Sequence, residues 1–367
     1  MKNIDCIQGF DSSNLREYTD WESVVTVIVM PIVLAFGLIT NSCFIFMVYR
    51  VPDMRITINI YLVSLAVADV SFLAISISDK LARHVISPLY GDAGHRGTAG
   101  CILIVFLVFT SLLSSELHIL VIAFERYYSV CVPLKAQFNQ KKRATRLLTA
   151  TWLVSVLIAA SFTPSYADYR LYCLEDTKYS DLSDTYGVCR SVTSDIEIDG
   201  ANIYINLAQP IVFLTSLVIS SVLYVKVLRK LRRVSASLKN RGMAQTTHYR
   251  KSKVKQYFNR MLWFNWLVYF TLSAPFQLYA FCDFVSYISG GNSVADSSPL
   301  FTTCRLLLYL NSCVNPLVYG AANPKYRSAF MVAYSPSKLQ PSNNHDTLTT
   351  GQRMTTTKLT IALASVD

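Results

Sequence analysis

The chain has 367 residues, of which 52% are hydrophobic and only 16% are charged. This composition is too apolar for an ordinary soluble protein of the same length, and it favours a protein that uses the lipid bilayer as its solvent. The net charge of +11 is gathered beside the apolar segments, which argues against nucleic acid as a partner.

Seven apolar runs predict seven transmembrane helices, because crossing roughly 30 Å of hydrocarbon takes about 20 apolar residues in a helix that pairs its own backbone groups. The runs cover residues 24–49, 58–78, 99–130, 144–163, 203–228, 258–284 and 299–320. We therefore expect an all-α membrane protein, with an N-terminal segment (1–23) followed by a bundle of seven transmembrane helices (24–322).

Lys and Arg predict the orientation, because connections rich in these residues stay in the cytoplasm. They are concentrated after the first, third and fifth runs, whereas the loop after the fourth run holds more acidic than basic residues. We expect a multi-pass protein of the plasma membrane with an extracellular N-terminus. The acidic outer loop would steer a cationic ligand toward the bundle.

Asp69 lies in the middle of the second run, where an ionisable side chain is energetically expensive. Further oxygen-bearing residues recur at helical spacing on the third and seventh runs: Ser111, Ser115, Asn311, Ser312 and Asn315. Such oxygen ligands suit a hard cation such as sodium, or a water network that rearranges between two states. The alternative is a set of hydrogen bonds that only joins helices.

Two further motifs suggest a conformational switch. Glu125, Arg126 and Tyr127 end the third run, where an arginine paired with the neighbouring carboxylate and then released would meet another protein. The alternative is an arginine that only anchors the helix at the interface. Pro316 follows Asn315 and leaves the carbonyl of Ser312 without its helical hydrogen bond, which predicts a kink in the helix. The kink is either a hinge or a bend with no switching role.

In their order along the chain, the motifs resemble those of the rhodopsin-like family of G-protein-coupled receptors. They are Asn41, Leu65-Ala66-Val67-Ala68-Asp69, Cys101, Glu125-Arg126-Tyr127, Trp152, Pro275 and Asn315-Pro316-Leu317-Val318-Tyr319. The resemblance implies an extracellular agonist, a heterotrimeric G protein on the cytoplasmic side and allosteric sodium at the Asp69 cluster. It assigns the coupling switch to Glu125, Arg126, Tyr127, Tyr224, Asn315, Pro316 and Tyr319. A receptor of this kind is not an enzyme.

The family resemblance also implies a disulfide bond between Cys101 and Cys189. Cys173 is the alternative for that bond, and Cys6 is a candidate partner for the spare cysteine. Residues 169–173 and 187–192 are expected to pair as a β-hairpin in the second extracellular loop.

The C-terminal region is expected to lie outside the bilayer core. Residues 323–334 resemble the family's short amphipathic eighth helix on the membrane surface. Residues 335–367 are polar and rich in Thr, and we expect a disordered cytoplasmic tail on which receptor kinases and arrestin act. The basic connection after the fifth run suits a G protein or anionic membrane lipid.

Three residues depart from the family's pattern. Ser273 stands where a tryptophan is common, Tyr269 replaces a phenylalanine, and Glu116 takes an aliphatic position. A constitutively active or non-signalling receptor is therefore an alternative function. An ion-coupled transporter is a further alternative, although the chain shows no internal repeat or broken helix.

The expected ligand is a peptide. Val108 stands where amine receptors of the family carry an aspartate, and the seventh run lacks the lysine of an opsin. The residues 61–69 and 135–138 with Arg305 resemble the thyrotropin-releasing-hormone receptor group, whereas Phe109, Leu113 and Phe276 depart from it. We expect a short neuropeptide other than that hormone, bound by residues of the outer pocket: Arg305, Phe109, Phe276, Gln277 and Tyr279. An ion pair with an acidic loop residue is the alternative role for Arg305.

Overall fold

The computed structural model describes residues 6–7, 15–133, 140–174, 183–190, 200–240, 247–289 and 299–335. Its helices are α1 (Asp20–Arg50), α2 (Thr57–Ile86), α3 (Gly97–Cys131), α4 (Gln140–Phe162), α5 (Gly200–Asn240), α6 (Thr247–Ile288), α7 (Pro299–Ala322) and α8 (Pro324–Tyr334). The seven apolar runs match α1 to α7, and the predicted surface helix matches α8. The tail after residue 335, with its predicted disorder, lies outside the described residues.

Capping residues set two of the helix ends. Thr19 and Glu22 form a capping box at the start of α1, in which each side chain accepts a hydrogen bond from the backbone N–H of the other. Asn323 separates α7 from α8, because its side-chain oxygen accepts from the N–H of Lys325 at 3.0 Å. Pro324 then occupies the first turn of α8, where a missing N–H costs nothing.

The bundle exposes apolar side chains on its outer surface and buries polar side chains among the apolar ones of its interior. Ile32, Leu157 and Val218 are each at least 60% exposed, whereas Asp69 and Asn315 are buried. Lipid can cover the exposed apolar side chains, and hydrogen bonds between helices can satisfy the buried polar ones. Within the described residues, five helices are long and apolar enough to cross a membrane, namely α1 to α5. The apolar stretches of α6 and α7 are interrupted by polar residues such as Asn265.

Neighbouring helices pack around α3, which contacts α2, α4 and α5, while α7 closes the bundle against α1, α2 and α6. A large apolar cluster fills the half of the bundle that lies next to α8, with Phe44, Tyr319 and Tyr326 among its fully buried members. A smaller cluster around Phe72 and Tyr309 fills the other half. We call these two halves the α8 end and the hairpin end.

The hairpin end is built from an antiparallel pair of strands, β1 (Asp168–Cys173) and β2 (Thr185–Arg190). The predicted hairpin is confirmed, although the second strand begins two residues earlier than expected and residues 191–192 lie outside the described part. Gly187 is required here, because a Cβ at this position would collide with the backbone of Gly94.

Two disulfide bonds hold the hairpin over the bundle. Cys101 at the start of α3 is bonded to Cys189, as predicted, and Cys173 is bonded to Cys6. The backbone of Ile7 donates to Leu171 and accepts from Cys173 at 2.8 and 2.9 Å. Cys6 and Ile7 therefore lie along the outer edge of β1. The remaining cysteines are free: Cys43, Cys131, Cys282, Cys304 and Cys313.

Candidate functional site

A cavity of about 330 Å³ lies at the hairpin end, below β2 and between the ends of α2, α3, α5, α6 and α7. Arg305, Phe109 and Phe276, three of the predicted ligand-binding residues, line it. Gln277 and Tyr279 are not part of this lining. Successive residues of a helix point about 100° apart, so Gln277 turns away from Phe276 and is buried. Tyr279 packs on Phe301, with ring centroids 4.8 Å apart.

Aromatic rings support two of the lining residues. The guanidinium of Arg305 lies 4.2 Å from the ring centroid of Phe301, a cation–π contact. Phe276 stacks on the same ring at 5.6 Å. Phe109 packs edge to face against Phe162 on α4 at 5.1 Å. Aromatic side chains from four helices thus hold Arg305 and Phe109 in place.

Charged residues that the sequence analysis did not single out line the same cavity: Asp79, Lys80, Arg83 and Arg96. Arg96, just before α3, donates to both carboxylate oxygens of Asp79 on α2, through Nε at 2.8 Å and through one terminal nitrogen. The Nε of Arg83 lies 3.3 Å from the same carboxylate. In the sequence, these residues are recognisable only as a cluster of charges at and after the end of the second apolar run. Charged residues at such a position often only mark the edge of the membrane.

Asp69 is the centre of a buried polar network in the middle of the bundle. Ser115 on α3 donates to one of its carboxylate oxygens, and the amide of Asn315 on α7 donates to the other, both at 2.7 Å. Ser312 also faces this carboxyl group. The predicted cluster therefore comes together from three helices. The hydroxyl of Ser111 donates to the carbonyl of Leu107 at 2.9 Å, and its part in the cluster stays a prediction.

The carbonyl that Pro316 releases has a partner on another helix. The amide of Asn41 on α1 donates to the carbonyl oxygen of Ser312 at 2.9 Å. The neighbouring Thr40 donates to the carbonyl oxygen of Cys313 at 3.1 Å. Pro316 itself lies inside a continuous α7. The predicted hinge at this proline stays a prediction.

The structure corrects the predicted ion pair at the α8 end. Glu125 does not pair with Arg126 but with Arg143 on α4, at 2.7 and 3.2 Å. Adjacent residues of a helix do not face each other, so a neighbouring helix supplies the cation more easily. Arg126 instead lies over the ring of Phe258 at 5.5 Å. In the part of the chain that the structure describes, its Nε has no hydrogen-bond partner.

Three tyrosines of the predicted switch, Tyr127, Tyr224 and Tyr319, also lie at the α8 end. Tyr224 on α5 and Tyr319 on α7 are both at most 2% exposed. The ring of Tyr319 lies 6.0 Å from that of Tyr326, whose hydroxyl donates to Asn59 at 2.6 Å. The ring of Tyr127 lies 5.7 Å from the ammonium of Lys226. These three tyrosines thus lie at the α8 end together with Tyr326, which sequence reasoning assigned only to the surface helix. Asn315, another residue of the predicted switch, lies instead in the Asp69 network.

Comparison with known proteins bears on this architecture. The family described as "7 transmembrane receptor (rhodopsin family)" matches residues 40–319, which is about three quarters of the chain. The chain belongs to the rhodopsin family of seven-transmembrane receptors. It is therefore a multi-pass membrane protein, and the receptor class predicted from its motifs is confirmed.

Several hormone and peptide receptors are similar to this receptor. The thyrotropin-releasing hormone receptor of Ovis aries is 26% identical over 332 residues, covering 84% of this chain and 77% of that protein. The receptor of the same name from Gallus gallus is 29% identical over 317 residues, covering 84% and 78%. The QRFP-like peptide receptor of Branchiostoma floridae is 24% identical over 327 residues, covering 86% and 78%.

The three departures from the family's pattern cluster below the receptor's cavity. Glu116 on α3 and Ser273 and Tyr269 on α6 are each at most 2% exposed. Glu116 faces Ser216 on α5. Within the described residues, one carboxyl oxygen of Glu116 and the hydroxyl oxygen of Ser273 have no hydrogen-bond partner. Polar side chains thus occupy a layer where apolar and aromatic ones are expected.

His118 has a structural role in the receptor. One ring nitrogen lies 2.7 Å from the hydroxyl oxygen of Ser64 on α2, and the other lies 2.6 Å from the carbonyl oxygen of Ser114. Trp152 on α4 donates to the same Ser64 hydroxyl at 3.0 Å. His118 is therefore a hydrogen-bonded member of the junction between α2, α3 and α4.

Proposed function

We propose that this receptor binds a short extracellular peptide in the cavity at the hairpin end and activates a heterotrimeric G protein at the α8 end. The cavity itself carries the proposal, because about 330 Å³ is within the range of small-ligand sites. It combines an apolar wall with a few charged groups, as peptide recognition requires. Relatives named as hormone and peptide receptors support the same reading.

The chemistry of the two ends supports an extracellular N-terminus and a plasma-membrane location. Both disulfide bonds, Cys6–Cys173 and Cys101–Cys189, lie at the hairpin end, and disulfides persist in oxidising compartments. The opposite ends of α4 and α5 carry Lys and Arg, which are retained in the cytoplasm. The proposed peptide therefore arrives at the hairpin side.

The proposed G-protein surface is centred on Arg126. The pairing of Glu125 with Arg143 leaves Arg126 without the neighbouring carboxylate, among the aromatic rings of Phe258, Tyr224 and Tyr326. A guanidinium held by rings can turn toward an incoming protein without first breaking an ion pair. Membrane lipid would contact the basic ends of α4 and α5, and arrestin and receptor kinases would act on the tail beyond residue 335.

We also propose sodium as an allosteric ligand of the Asp69 network. The residues fit a hard cation, because Asp69, Ser115 and Ser312 present oxygen atoms to one another. Asn311 adds a buried side-chain oxygen that has no hydrogen-bond partner in the described part of the chain. Sodium would neutralise the Asp69 carboxylate when bound, and Asn315 would hold that carboxylate in place.

G-protein activation in cells that express the receptor tests the proposal. The cells are challenged with a panel of short peptides, amidated and free-acid, and Arg126→Ala and Arg305→Ala are run beside the wild type. We expect a peptide response that Arg126→Ala abolishes and Arg305→Ala weakens at equal surface expression. Arg55→Ala and Arg170→Ala are matched controls at the two ends, and both should respond like the wild type.

The same assay separates the alternative functions. A basal signal that no peptide changes but Arg126→Ala removes would favour a constitutively active receptor, for which the polar layer around Ser273 and Glu116 is a reason. Silence to every peptide together with no basal signal would contradict the proposed function.

A further inference from the structure

A buried amide at the hairpin end is not satisfied by the receptor itself. Gln209 on α5 lines the cavity and is only 5% exposed. Across the ranges that the structure describes, its amide nitrogen has no hydrogen-bond partner. That nitrogen carries two N–H donors, and a buried donor without an acceptor destabilises the fold. The receptor therefore holds an unsatisfied donor at the wall of its proposed ligand site.

The packing of α5 against α4 fixes where this amide lies. Ala208 and Val212, four residues apart on one face of α5, pack on the apolar cluster around Phe162 of α4. Gln209 follows Ala208, and successive residues of a helix point about 100° apart. The contacts that hold α5 in place thus direct the Gln209 side chain to the cavity.

The side chains near Gln209 include several that are poor acceptors. Phe213, one turn further along α5, packs on Phe270 of α6 with ring centroids 5.2 Å apart. Phe276 and Val188 line the cavity together with Gln209. Aromatic rings accept hydrogen bonds only weakly, and aliphatic side chains do not accept them. A bound ligand can supply the missing oxygen, and a peptide carries a carbonyl oxygen at every residue.

We infer that Gln209 is a specificity-determining residue, whose amide donates a hydrogen bond to a backbone carbonyl oxygen of the peptide. The inference rests on the proposed peptide-receptor function and names the group that the site recognises. The last torsion of a glutamine side chain is soft, so the amide turns its nitrogen toward an oxygen placed in the cavity. A site built to hydrogen-bond a ligand group discriminates against ligands that lack this group.

Thermal unfolding of the ligand-free receptor in lipid nanodiscs tests the unsatisfied amide without any peptide. Gln209→Leu removes the buried donor at similar volume, so we expect the melting temperature to rise by a few degrees. Thr215→Val is the control on the same helix, because the Thr215 hydroxyl already donates to the carbonyl of Ile211 at 2.8 Å; it should not raise the melting temperature. If Gln209→Leu does not raise it either, the amide is satisfied within the receptor and the inference is overturned.

A backbone scan of a peptide tests the recognition itself. The peptide is one that activates the wild type, and each of its peptide bonds is replaced in turn by a trans alkene, which keeps the shape but lacks the carbonyl oxygen. We expect one replacement to weaken binding to the wild type about tenfold, as for one lost buried hydrogen bond. Gln209→Leu should bind the parent peptide about tenfold more weakly and be insensitive to that replacement.

Two controls isolate the carbonyl oxygen and the amide that binds it. An ester at the same position keeps the carbonyl and lacks only the N–H, and it should bind better than the alkene. Asn265→Leu replaces a buried amide of α6 that lies outside the described lining of the cavity. This variant should lose affinity at the same peptide bond, and by the same factor, as the wild type.

The possible failures can be told apart. If Gln209→Leu loses as much affinity as the wild type at every peptide bond, the inference is overturned and the proposed function stays intact. Failure of every peptide to act would overturn the proposed function and the inference with it. The scan of the wild type needs no variant, and a scan that finds no sensitive bond would also overturn the inference. Misfolding of Gln209→Leu therefore does not prevent the test.

Discussion

The side-chain amide of Asn41 donates a hydrogen bond of 2.9 Å to the carbonyl oxygen of Ser312, the carbonyl whose helical partner Pro316 removes. A backbone oxygen buried without a partner costs roughly 1–3 kcal/mol. One side chain of α1 therefore makes the proline in α7 tolerable. It also joins the two helices directly beside the Asp69 network.

Asn41→Ala should destabilise the receptor by about 1–3 kcal/mol, because the Ser312 carbonyl would then be buried without a partner. The matched control is Thr40→Val, which removes the bond to the carbonyl of Cys313. Leu317 keeps its own N–H for that carbonyl, so the control should cost less than about 1 kcal/mol. Thermal unfolding in detergent micelles measures both; equal losses would contradict the special role of Asn41.

Replacing Arg143 should destabilise the receptor more than replacing Glu125, its partner in the ion pair. Arg143→Gln leaves a carboxylate that is 3% exposed, and we expect a loss of roughly 2 kcal/mol. Glu125→Gln leaves Arg143, which can turn toward water, and should be tolerated better. Melting temperatures of the two variants test this order, which the reverse ranking would contradict.

Sodium should stabilise the receptor through Asp69. Melting of the purified protein is compared in sodium chloride and in N-methyl-D-glucamine chloride at equal ionic strength. Sodium at ten times its dissociation constant adds about 1.4 kcal/mol, so the wild type should melt several degrees higher in sodium. Asp69→Asn should show no difference, whereas the exposed control Asp53→Asn should behave like the wild type. A sodium response that survives Asp69→Asn would rule out this site.

At Gly37, α1 packs closely against both α2 and α7. A Cβ there would collide with the side chain of Leu73 and lie 2.8 Å from the Sγ atom of Cys313. Gly37→Ala should therefore cost about 1–3 kcal/mol from overpacking. Gly320→Ala in α7 is the control, since nothing lies within 4 Å of its added Cβ, and better helix propensity should make it neutral or slightly stabilising. Thermal unfolding that ranks the two variants the other way would refute the close packing.

Glu116 should be a site where function is maintained at the expense of stability. One of its carboxyl oxygens has no partner among the described residues, so Glu116→Leu should stabilise the fold by roughly 1–3 kcal/mol. Glu116→Gln, which keeps the shape and the contact with Ser216, should change stability less. If the polar layer transmits the signal, Glu116→Leu also alters basal G-protein activation. A Leu variant less stable than the Gln variant would contradict the prediction.

Much of this architecture was determined by the sequence alone. Seven apolar runs and the polar residues within them predicted the helices, since hydrocarbon permits few other solutions for a backbone of this length. Two predicted groups also come together in the structure: Cys101 with Cys189, and Asp69 with Ser115, Ser312 and Asn315. Such features depend on local composition, or on motifs that the family resemblance places on particular helices.

The partners of individual side chains were decided only by the tertiary structure. Glu125 is next to Arg126 in sequence but bonds to Arg143, and the cations around Asp79 come from both sides of the turn between α2 and α3. Sequence spacing fixes the direction of a side chain on its own helix, whereas a hydrogen bond between helices depends on their rotation and depth. The contacts of Asp79 with Arg83 and Arg96 form only when packing brings the end of α2 next to the start of α3.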